Sequence, residues 1–67
     1  MYEHGLTYNK DYDKELHAKL LELDGVIINR YSYQVLEQTF ISMKYVMSLE
    51  NTILFIKYYR NLIDNIN

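Results

Sequence analysis

Sixty-seven residues with nine acidic and seven basic side chains, a formal charge of −2, no cysteine and no proline make one domain at most, and one that buries only about 60% of its unfolded surface. Disulfides are excluded and a zinc site is disfavoured, so a partner subunit is the leading source of extra stability for so small a core. No run of lysine or arginine lines a face, which argues against nucleic acid, while a 49% apolar content with eight tyrosines argues against a disordered tail.

The first nine residues, Met1 to Asn9, read as a flexible lead-in without the basic and apolar run of a signal peptide, and a cytoplasmic location is the default. Asn9 or Asp11 can cap the helix expected next. Tyr12, Leu16, Leu20, Leu23 and Ile27 form its apolar stripe at about 100° per residue, and Asp24-Gly25 offers a stop with glycine in the left-handed position. GVIINRYSYQV has a β-branched and then an alternating pattern that suits a strand. No second alternating run is evident to pair with it, and an unpaired strand leaves its backbone unsatisfied, so it ranks below a loop or a helix extension.

From Tyr33 a helical step through Leu36, Phe40, Met43 and Met47 is expected, with Ser32 as its cap. Tyr33-Gln34-Val35-Leu36-Glu37 resembles, in Gln34 and Leu36, the Ser-Gln-x-Leu-Asp motif of the small sporulation aspartyl-phosphate phosphatases. That resemblance implies a two-helix hairpin regulator; it covers five residues, has Glu37 for the aspartate, and is not adopted. At Ser48 the apolar face flips to an arc through Leu49, Ile53, Phe55, Ile56, Tyr59, Leu62, Ile63 and Ile66, and serine followed by Glu50 suits a new helix start. The longest apolar stretch, Met43 to Tyr59, holds Lys44, Glu50 and Lys57, too polar for a spanning helix of about 20 residues.

The fold expected on these grounds is all-α. It is an antiparallel bundle of three helices over residues 10–67, completed by self-association. The alternative is a hairpin with one long C-terminal helix from Tyr33 to Ile66. Ile41, Tyr45, Leu54 and Tyr58 fall on otherwise polar helix faces in the first reading and complete a second apolar face in the other. Either way they require another protein surface. With Arg60, whose planar donor fork suits interface pairs, they are the expected partner-binding residues.

Constellations for chemistry are sparse. Asp11, Asp13, Glu15 and Glu22 imitate oxygen-ligand spacing in a calcium loop, but the sharp-turn glycine is Leu16. Asp13 and His17 share a helix face as a surface pair, two histidines fall short of a zinc set, and no serine has an adjacent base. The expectation is therefore a non-enzymatic protein without cofactor, metal or small-molecule substrate. It would be a regulator or inhibitor acting by protein contact, of the sort phages and mobile elements encode against a host protein. A structural oligomerisation subunit is the alternative, and a nucleic-acid regulator the remote one.

Overall fold

The computed structural model describes residues 1–64, and its architecture is α+β rather than an all-α bundle. Strand β1 (Tyr2–Asn9) leads through a 3-10 turn (Lys10–Tyr12) into helix α1 (Asp13–Glu22). Strands β2 (Val26–Val35) and β3 (Gln38–Met47) then form a hairpin, and helix α2 (Leu49–Asp64) follows. The sheet is antiparallel in the order β1-β3-β2, with β3 central. The expected lead-in over residues 1–9 is thus an edge strand, paired from Tyr2 opposite Met47 to Asn9 opposite Phe40. Ile66 of the expected apolar arc lies outside the described residues.

Alternation decides the sheet. Ile41, Met43, Tyr45 and Met47 are buried on one face of β3, and even-numbered residues of β1 lie across from them, as the period of two in a strand requires. Leu16 and Leu20 of α1 and Phe55 of α2 join the same cluster, so both helices cover one face of the sheet. Asn9 caps the 3-10 turn by accepting from the Asp11 N–H at 2.9 Å. Ser48 caps α2, where its Oγ accepts from the Asn51 N–H at 3.1 Å and its carbonyl from the buried Thr52 hydroxyl at 2.9 Å. The Asn51 amide also donates to the Leu23 carbonyl at 2.9 Å, tying the start of α2 to the end of α1.

Helix α1 ends in a Schellman pair. The Asp24 N–H donates to the Leu21 carbonyl and the Gly25 N–H to that of Leu20, which satisfies two carbonyls the helix leaves open. The left-handed residue is Asp24, with φ 59°, and not Gly25 as the sequence suggested. Glycine is needed one position later for space, because a Cβ on Gly25 would stand 2.7 Å from Leu20 Cγ and 3.0 Å from its carbonyl oxygen. Leu20 is fully buried and cannot retreat. Gly25→Ala is expected to cost about 1 to 3 kcal/mol, as overpacking does, read as a lower urea midpoint.

The β2–β3 turn is Leu36-Glu37. Leu36 has φ 57°, a conformation that costs an L-residue about 1 to 2 kcal/mol and that two-residue hairpins normally give to glycine or asparagine. It is also 93% exposed, so its side chain returns nothing in packing. Leu36→Gly is expected to raise stability by about 1 kcal/mol, seen as a higher melting temperature.

Candidate functional site: the uncovered sheet face

Because both helices lie on one side, none of the described elements covers the other side of the sheet. Strand alternation places Glu3, Gly5 and Thr7 of β1, Phe40, Ser42, Lys44 and Val46 of β3, and Asn29, Tyr31 and Tyr33 of β2 there. Tyr33 stacks on Phe40 across the strands, centroids 5.8 Å apart, and tilts against Tyr31 at 6.2 Å. Tyr31 is 56% exposed and Tyr33 40%. Beside this aromatic band, Gly5, Thr7, Asn29, Ser42 and Lys44 line a depression of about 270 Å³. It exists because Gly5 has no side chain to fill it. Lys44 sits 3.6 Å from Glu3, so the face carries little net charge.

Polar groups on the helix-covered side are spent on structure. The Tyr8 hydroxyl donates to Asp13 Oδ1 at 2.7 Å, and Arg30 Nη2 donates to Asp13 Oδ2, which joins β1, α1 and β2 through one carboxylate. Burial first, and then the neighbouring Asp13, push the Tyr8 phenol well above its ordinary value, with Arg30 opposing. Tyr45 shares a 2.8 Å hydrogen bond with His4 Nδ1 and packs edge-on against Phe55 at 5.1 Å; burial raises its pKa to about 12. Glu22 pairs with Lys19 at 3.3 Å. No group of three or more metal-ligating side chains occurs among the described residues.

Sequence reasoning placed its partner residues on this chain unevenly. Ile41 and Tyr45 are 3% and 0% exposed, so they are core residues of a strand and offer a partner no surface. Their apparent exposure came from reading a period of two as a helix. Leu54 and Arg60 are exposed on α2. Tyr58 is half-buried, with the Lys19 ammonium 5.2 Å above its ring. Those three do not join the aromatic band, which lies on the opposite side of the sheet. The band itself was missed, although Tyr31-Ser32-Tyr33 next to a phenylalanine three or more residues beyond a two-residue turn is its signature. None of the described helices is long and apolar enough to cross a membrane. No family model, curated protein or solved structure matches the chain.

Proposed function

We propose that this is a small non-enzymatic regulatory or inhibitory protein of the cytoplasm that acts by protein contact, and that the uncovered sheet face is its working surface. The observation that carries the reading is the band of exposed Tyr31 and Tyr33 with half-buried Phe40, beside near-neutral polar groups. Aromatic side chains are enriched and charges depleted at the centre of protein interfaces, because a tyrosine offers apolar area and a hydroxyl together.

Exposed aromatics on a sheet also suit stacked bases, which gives a second reading as a binder of single strands. Such binders add a positively charged groove, whereas Lys44 is the one cationic side chain on this face among the described residues and it stands beside Glu3.

Ser42, at the centre of the face and only partly covered, separates these readings. The wild-type chain immobilised as bait is expected to retain one specific protein from host lysate, and Ser42→Arg is expected to lose it while keeping the wild-type circular dichroism. Recovery of the chain alone would support the structural-subunit reading instead. Tighter binding of single-stranded DNA by Ser42→Arg than by wild type, on top of measurable wild-type affinity at physiological salt, would favour the stacking reading.

A further inference from the structure

Strand β2 is an outer strand of the sheet, and nine of its ten residues are exposed. Every second residue of such a strand turns its N–H and C=O away from its neighbour, which makes the edge a template for another strand. Proteins guard such edges with proline, lysine or a bulge. Here there is no proline or lysine, and Arg30, the one charge, is drawn to Asp13. A register shift at Ile28 marks the near end, and from Asn29 to Val35 the pairing with β3 is regular. The unguarded run is thus seven residues with Ser32 at its middle.

We infer that β2 pairs antiparallel with β2 of a second copy about a two-fold axis at Ser32, joining two three-stranded sheets into one of six. In that register Tyr31 of each copy faces Tyr33 of the other, Arg30 faces Gln34, and Asn29 faces Val35. Cross-strand aromatic pairs are among the favourable ones in sheets, and like charges directly opposite are unfavourable. An axis at Arg30 would set arginine against arginine, and a slip of one residue would send the tyrosines of the two copies to opposite faces. A second copy supplies this match in register and charge by its own symmetry. The inference rests on self-contact through β2 and stands whether or not the sheet face also takes a foreign protein.

Light scattering on the full chain is expected to give twice the 8.1 kDa of the monomer. Ser32→Lys, which sets like charges face to face on the axis next to both Arg30 residues, is expected to give the monomer mass with an unchanged circular dichroism spectrum. Opposed residues in an antiparallel pair have Cα atoms about 4.5 to 5.5 Å apart, within disulfide reach, and the described chain has no cysteine of its own. Ser32→Cys is therefore expected to oxidise to a covalent dimer, while Thr7→Cys on β1 is not. Should Ser32→Lys fail to fold, the two cysteine variants decide the matter alone. A wild type that stays monomeric, a dimer that survives Ser32→Lys, or equal cross-linking through Thr7→Cys would each overturn the inference. None of these measurements involves Ser42 or a lysate, so their outcome is separate from that of the binding reading.

Discussion

Tyr45→Ala is expected to lower the unfolding free energy by about 3 to 5 kcal/mol. The side chain has no exposure, packs edge-on against Phe55, and holds His4 of β1 through its hydroxyl. Removing a large buried ring costs about 3 to 5 kcal/mol, because the cavity collapses only in part, and a chain of this length has about 3 to 10 kcal/mol in total. Leu54→Ala, by contrast, removes a side chain that is 46% exposed, and is expected to shift stability by about 0.5 kcal/mol or less. Urea titration followed by circular dichroism compares the two. A Tyr45→Ala protein that keeps its midpoint would mean that the ring is not a core element.

Alkaline pH is the second strong lever. A tyrosine in the unfolded chain ionises near its ordinary value of 10.0, whereas burial keeps Tyr45 protonated up to about 12 in the fold. The folded state holds this proton more tightly, so the stabilisation is whole below pH 10 and is lost as pH rises through 12. At about 1.4 kcal/mol per unit the loss amounts to about 3 kcal/mol. Tyr8, raised by burial and by Asp13, pulls the same way, and the chain is expected to unfold within this window. Unfolding free energies measured at stepped pH should fall less steeply for Tyr45→Phe, which cannot ionise there. An equal slope in the two proteins would remove Tyr45 as the cause.

The two helices that form were legible in the sequence, whereas the expected helix from Tyr33 through Met47 is strand, for a reason that can be named. In α1, Leu16 and Leu20 sit where the stripe put them, and the phase flip at Ser48 does mark the cap of α2. What preceded Ser48 was misread, because Phe40, Met43 and Met47 step by three and four by accident. Ile41 and Tyr45, the residues that fitted a helix worst, were the evidence of a period of two. Ile41-Ser42-Met43-Lys44-Tyr45 alternates cleanly, and Tyr2, His4, Leu6 and Tyr8 alternate too once histidine and tyrosine are counted as able to face a core. The argument against a lone strand was sound; its premise failed, because β2 has the partner β3, and β3 has β1. Nothing local announced the hairpin, since Leu36-Glu37 lacks the glycine, asparagine or aspartate that such turns favour. The working face went unseen with the sheet that makes it, because residues on β1, β2 and β3 share a surface only when their pairing is known.

The strand order also sets a timetable for the growing chain. β1 is made before the other two strands, yet among the described residues its one neighbour in the sheet is β3, whose far end, Met47, pairs with Tyr2. Until β3 has been made, β1 and α1 have no sheet to complete. The β2–β3 hairpin, which is local, can form ahead of them. Contacts so distant in sequence slow folding relative to a helical bundle of the same length. The sheet therefore closes only once β3 is made, when β1 is drawn back onto it past α1 and β2.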